Sequence, residues 1–157
     1  VKDQSQPPTL LIVEDSDEYF EVLSRIIVDI SDRPLSIHRC IDGDDALDYF
    51  NHEGIYHTTS DRANPDLTIL DLNLPGTDGR EVLVSLNASK HLKTIPIVVL
   101  TTSSNPKDIQ ACYESGVNSY LVKPMKIEQL RYLVRVLLDY WFKVAILPTA
   151  IKLEGKG

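Results

Sequence analysis

No stretch of this sequence approaches the roughly 20 consecutive apolar residues that a membrane-spanning helix requires, so a helical membrane span is excluded. Val1 to Pro8 is polar and proline-containing, and it lacks the apolar segment of a secretory signal. Cysteine is scarce. Cys40 and Cys112 show neither CxxC nor zinc spacing, and each falls in an apolar pattern. They read as small core thiols in a reducing, cytoplasmic compartment. Basic runs are missing and the net charge is −7, which argues against nucleic acid or an anionic membrane surface as a direct partner. What is present is ordinary for a globular protein: 43% hydrophobic and 25% charged residues exclude disorder. The 157 residues suit one domain.

Apolar runs alternate with helical periodicity along the chain. Thr9 to Val13 reads as a strand and runs into Glu14-Asp15-Ser16-Asp17-Glu18. Tyr19, Val22, Leu23, Ile26, Ile27 and Ile30 then recur at helical spacing, with acids in the first turn as the macrodipole prefers. Leu35 to Cys40 predicts a second strand, and Asp44 to Asn51 a helix with Ala46, Leu47 and Phe50 inward. His52 to Pro65 is a long connection of a kind that is often functional. Its His52 and His57 lack metal spacing and read as solvated loop residues. Leu67 to Leu70 is the next strand, ending at Asp71, and Gly79 to Ala88 the next helix. Ile95 to Leu100 predicts a fourth strand, Asn105-Pro106 to Gly116 a capped helix, and Val117 to Val122 a fifth strand. A final helix is predicted from Ile127 to Lys143. Five such alternations predict an α/β fold, a parallel sheet covered on both faces.

In a parallel sheet all strand ends of one kind share an edge, where open α/β folds build their sites. The residues there are Glu14, Asp15, Asp71, Thr101 and Lys123. Individually each has a bland reading: helix-start acids, a turn-bonding Asp, a strand-end Thr, a surface Lys. Together they point to chemistry. Three clustered carboxylates repel one another unless a cation shares the site, and hard oxygen ligands suit Mg2+ or Mn2+. A hydroxyl and an ammonium beside them complement a tetrahedral anion such as phosphate.

These residues carry a resemblance to the receiver domains of response regulators, of the chemotaxis type. The acidic pair is Glu14-Asp15, and the acceptor motif is Leu70-Asp71-Leu72-Asn73-Leu74-Pro75-Gly76-Thr77-Asp78-Gly79. The hydroxyl position is Thr101 and the Lys-Pro pair is Lys123-Pro124, with spacings that fit the family pattern. The likeness spans Thr9 to Tyr140. It implies a doubly wound, flavodoxin-like fold with strand order 2-1-3-4-5. It also implies that Asp71 takes a phosphoryl group from a sensor histidine kinase, with Lys123 and Thr101 contacting that group. Asp15, Asp71 and the Asn73 main-chain carbonyl would hold Mg2+, with Mn2+ as a substitute and Glu14 acting mainly through water. Thr101 and Tyr120 would form the switch that reshapes the face made by the fourth helix, fifth strand and fifth helix. Asn73, Thr102 and Ser103 would tune the phosphoryl lifetime.

The last helix carries the expected output. Ile127, Leu130, Val134, Leu137, Leu138 and Trp141 form one apolar stripe, and Tyr132, Val136 and Tyr140 fall on the opposite side. A second apolar face, extended by Phe142 to Leu147, suggests a partner surface. The long segment before the third strand and Tyr140-Trp141-Phe142-Lys143 resemble small receivers paired with cyanobacterial phytochrome histidine kinases, which are similar single-domain proteins. That likeness implies a homodimer through Tyr132, Val136, Tyr140, Phe142 and Ile146, and a downstream protein of unknown identity. The expected layout is a flexible N-terminus over 1–8, a receiver domain with a dimerising tail over 9–147, and a flexible tail over 148–157, without an output domain.

Three rival readings differ in function. A haloacid-dehalogenase-like phosphatase would place Asp-x-Asp after the first strand, where Glu14 and Asp15 are adjacent instead. A flavodoxin-like nucleotide binder would need a Gly- or Ser/Thr-rich phosphate loop there. The third is a receiver-like module that binds its partner without phosphorylation; its usual mark, loss of the acceptor or the lysine, is not found. The expectation is therefore a phosphoacceptor and not a turnover enzyme.

Overall fold

The computed structural model of the chain describes residues 6–59 and 64–150. β1 (Thr9–Val13) is buried throughout, because both of its faces are covered and its side chains alternate between two cores. α1 (Asp17–Ile30) starts at Ser16, whose side chain accepts from the Tyr19 N–H. β2 (Ser36–Cys40) leads into α2 (Gly43–Asn51). A 3-10 turn (Gly54–Thr59) precedes β3 (Leu67–Leu70). α3 (Gly79–Ala88) opens on a capping box in which Asp78 and Glu81 satisfy each other's backbone N–H. β4 (Ile97–Thr101), α4 (Pro106–Glu114), β5 (Ser119–Val122) and α5 (Ile127–Asp139) complete the fold.

All strand pairings are parallel and the order is β2-β1-β3-β4-β5, the order expected. On one face Leu10, Ile12 and Val98 pack against Leu23 and Ile27 of α1 and against Leu130 and Val134 of α5. On the other, Leu11, Val13, Leu70 and Val99 meet Phe50 of α2, Leu83 of α3 and Cys112 of α4. Both cysteines are buried. Among the described residues no helix is long and apolar enough to cross a membrane.

Several expected boundaries shift, each for a local reason. β4 starts at Ile97 and not at Ile95, since Pro96 has no N–H to give the ladder and Ile95 donates to Leu92 in a turn. β5 starts at Ser119, because the Val117 N–H still closes α4 by donating to Cys112. The last helix stops being α-helical at Asp139; Tyr140–Val144 form a π turn closed by the Ala145 N–H on Tyr140 at 2.7 Å. Ile127 is half exposed and Val22 is 40% exposed, so neither belongs to its predicted core stripe. His57 is exposed, but His52 is half-buried and caps α2 with φ 56° in the left-handed region. The tail expected from 148 begins with a 3-10 turn, Pro148–Ala150, whose Thr149 hydroxyl donates to Asp66. Residues 1–5 of the expected N-terminal segment and 151–157 of the tail lie outside the described residues.

Candidate functional site

The ladder that builds the sheet also builds the site. The Glu14 N–H donates to the Cys40 carbonyl, the Asp71 N–H to Val13, and the Lys123 N–H to Thr101. Each functional residue is thereby pinned one step beyond a strand at the carboxyl edge. Gly79 keeps this edge tight, for a Cβ there would lie 2.4 Å from the Asp71 carbonyl oxygen.

Glu14, Asp71 and Thr101 are buried, whereas Asp15 is exposed. One carboxylate oxygen from each of Glu14, Asp15 and Asp71 lies within 4.8 Å of the others. Three hard donors so placed fit a divalent cation, with room left for water on the open Asp15 side. Lys123 reaches in from the far strand. Its Nζ donates to Glu14 Oε1 at 2.5 Å and to Asp71 Oδ2 at 2.9 Å. Burial disfavours this ammonium, yet the hydrogen bonds it donates to Glu14 and Asp71 outweigh that and raise its pKa. Burial pushes the Glu14 carboxyl up, against the opposing pull of Lys123.

The remaining expected residues gather around this centre. The Asn73 N–H donates to Asp71 Oδ1 at 3.2 Å, and its amide reaches Thr101 Oγ1 at 3.5 Å and Thr102 Oγ1 at 3.4 Å. Ser103 belongs to a different set of contacts. Its hydroxyl donates to Asp108 Oδ2 at 2.6 Å, and its carbonyl accepts from the Tyr120 hydroxyl at 2.8 Å. The half-buried Tyr120 is thus tied to the loop after β4. Of the expected interface residues, Tyr132, Val136, Tyr140 and Ile146 are exposed. Phe142 is different: it is half-buried against the α1–α5 core, with the Arg33 guanidinium 5.8 Å from its ring.

Three participants were not found from sequence. Arg80 Nε donates to Asp108 Oδ1 at 2.9 Å, and its Nη1 reaches the α3 cap Asp78. This joins the loop after Asp71 to the start of α4, and Arg80 and Ser103 hold the Asp108 carboxyl at about 2. Tyr19 presents its ring to Lys123 Nζ, 4.0 Å from the centroid. Neither the Arg80–Asp108 nor the Tyr19–Lys123 contact has a sequence signal, because the partners are distant along the chain and follow no period.

A parallel sheet in this order, ending in an acid cluster, a hydroxyl and a lysine, defines a signalling receiver. The model of the response regulator receiver domain matches residues 10–135, and the chain belongs to that family. It is 38% identical to the response regulator Rcp1 of Synechocystis sp. over 96% of this chain and 100% of that one. It is 37% identical to the probable methanogenesis regulatory protein FilR2 of Methanothrix harundinacea over 90% of this chain and 88% of that one. Among solved structures, the phosphorylated cyanobacterial phytochrome response regulator RcpA superposes with a TM-score of 0.84 at 36% identity, covering 91% of this chain and 99% of that one. The Mn(2+)-bound form of Rcp1 gives 0.83 at 36% identity, covering 90% and 99%.

Proposed function

We propose that this receiver takes its phosphoryl group on Asp71, from the phosphohistidine of a sensor histidine kinase of phytochrome type. The observation that carries the assignment is the Lys123 ammonium shared by two buried carboxylates, Glu14 and Asp71. A lone carboxylate is a poor nucleophile toward a polyanionic phosphoryl group, and positioned cations remove that repulsion. An Asp71 oxygen attacks phosphorus in line as the N–P bond breaks, and the electron pair leaves with the imidazole. Lys123 meets an equatorial oxygen, and Thr101 donates a hydrogen bond to another. Mg2+, held by Asp15, Asp71 and the Asn73 carbonyl, with Glu14 through water, would neutralise charge on the transferring group; Mn2+ would substitute. The Mn(2+)-bound relative supports this.

The phosphoryl group adds about −1.5 to −2 charges at the edge. Thr101 moves toward it, and Tyr120, hydrogen-bonded to the Ser103 carbonyl, follows and alters the α4–β5–α5 face. Asn73 and Thr102 tune the phosphoryl lifetime by lining the approach of water, and Ser103 does so by setting the loop after β4 through Asp108 and Tyr120. The face itself pairs two copies of the chain through Tyr132, Val136, Tyr140 and Ile146, with Phe142 bracing the turn beneath them, and presents the dimer to a downstream protein. The full-length likeness to a phytochrome response regulator supports the kinase class. Incubation with labelled acetyl phosphate and Mg2+ tests the acceptor: wild type gains label and Asp71→Asn does not. Label on Asp71→Asn would refute the assignment.

A further inference from the structure

We propose that Tyr19 is a positioning residue for phosphoryl transfer, its ring face holding the Lys123 ammonium in place at Asp71. The proposal rests on the reading of Asp71 as acceptor and Lys123 as the cation that meets the phosphoryl oxygens. An ammonium has three N–H donors. Glu14 takes one at 2.5 Å and Asp71 another at 2.9 Å. The Tyr19 ring lies against the same nitrogen, 4.0 Å from its centroid, within the range of a cation–π contact. The Lys123 side chain is only 11% exposed, so water competes weakly for it.

The three supports of the ammonium differ in what happens to them during reaction. Asp71 forms a bond to phosphorus, and Glu14 and Asp71 would also serve a divalent cation at the acid cluster. The ring face is claimed by neither event. It keeps Lys123 aimed at the edge while both carboxylates change partners. Tyr19 is itself fixed from below: its N–H donates to Ser16 Oγ at 3.2 Å, and the Ser16 N–H donates to Glu14 Oε2 at 3.4 Å. Glu14, Ser16, Tyr19 and Lys123 thus close a circuit around the site. The Tyr19 hydroxyl has no hydrogen-bond partner among the described residues, and it is the ring face that meets the ammonium.

The test separates the quadrupole from size and from the hydroxyl. Position 19 is replaced by Phe, by difluoro- and pentafluoro-phenylalanine, and by Leu. Initial rates of labelling from acetyl phosphate with Mg2+ are measured, with Asp71→Asn as the blank. Tyr19→Phe is expected to label within about twofold of wild type, and the logarithm of the rate to fall stepwise with fluorination. Tyr19→Leu is expected to be about three- to tenfold slower, the range of a partly buried cation–π contact. A second readout needs no metal. In EDTA the Lys123 side-chain protons nearest Nζ should resonate upfield in wild type and Tyr19→Phe, and return toward the free-lysine position in Tyr19→Leu. A flat fluorinated series in a protein whose wild type labels normally overturns the positioning role alone, as does Tyr19→Phe being as slow as Tyr19→Leu. A wild type that takes no label overturns the acceptor assignment, and the positioning role with it.

Discussion

Replacing Lys123 with Met keeps an unbranched side chain one atom shorter and removes the charge that two buried carboxylates share. Glu14 and Asp71 are 3% and 6% exposed and contact Nζ at 2.5 and 2.9 Å. At an effective dielectric of about 20, a pair 2.9 Å apart attracts by about 6 kcal/mol before desolvation is subtracted. Breaking a buried pair by removing one partner costs about 3–5 kcal/mol, since the remaining charge is left in a poor solvent. Proton uptake by Glu14 limits the loss, so about 3 kcal/mol is expected at pH 7.5. For a domain of this size that lowers Tm by about 6–12 °C. The pH dependence has a definite sign. Burial already raises Glu14 above its ordinary 4.5, and without Lys123 nothing opposes that burial strongly. The variant's native state then binds a proton more tightly than its unfolded state does, so the variant loses stability as pH rises above 4.5, and its deficit against wild type grows from there toward neutral pH. Divalent metal provides the converse check. A cation at Glu14, Asp15 and Asp71 restores the missing charge, so Mg2+ should raise Tm more in Lys123→Met than in wild type. Thermal melts in EDTA and in Mg2+ across this pH range suffice. A variant melting within 2 °C of wild type in EDTA at pH 7.5, far inside the expected shift of about 6 °C or more, would refute the reasoning; so would equal responses to Mg2+.

Three further outcomes follow from other parts of the fold. Asp108, held at about 2 against an ordinary 3.8 by Arg80 and then Ser103, stabilises the native state above pH 3.8 and ceases to as pH falls to about 2. Wild type should therefore lose its stability advantage over Asp108→Asn across that window, as read by urea melts. Gly43→Ala would place a Cβ 1.7 Å from the Thr77 carbonyl oxygen; it should cost about 1–3 kcal/mol and disturb the loop after Asp71, visible as lowered Tm and slower labelling. If Tyr132, Val136 and Tyr140, 70%, 47% and 52% exposed, pair two copies, Tyr140→Ala should shift sedimentation toward monomer at tens of micromolar, a concentration that reports weak association. A wild type already monomeric there would sink the dimer.

Much of the receiver was legible from local patterns. A strand covered on both faces reads as an unbroken apolar run, and Thr9–Val13 is buried at every position. Helix starts carry their own chemistry, as with Asn105-Pro106 at α4. The edge cluster was legible because a parallel sheet brings every strand end to one side, whatever the loops between them do. Phe142 shows the opposite case. It was expected in the apolar extension of the partner surface, but the π turn at Tyr140–Val144 rotates the chain and lays Phe142 against the α1–α5 core.

The sequence by itself therefore determined which residues stand at the site: Glu14, Asp15, Asp71 and Lys123 follow a strand and Thr101 ends one, and strand identity is a local property of side-chain pattern. Only the tertiary structure decided who touches whom there. Glu14 spends an oxygen directly on Lys123, Tyr19 supplies a ring to the same ammonium, and Arg80 links the loop after Asp71 to α4 through Asp108. These contacts depend on packing distances of a few ångströms between residues far apart in the chain. Neither hydrophobic period nor capping preference encodes such distances, and they exist only once the helices have closed over the sheet.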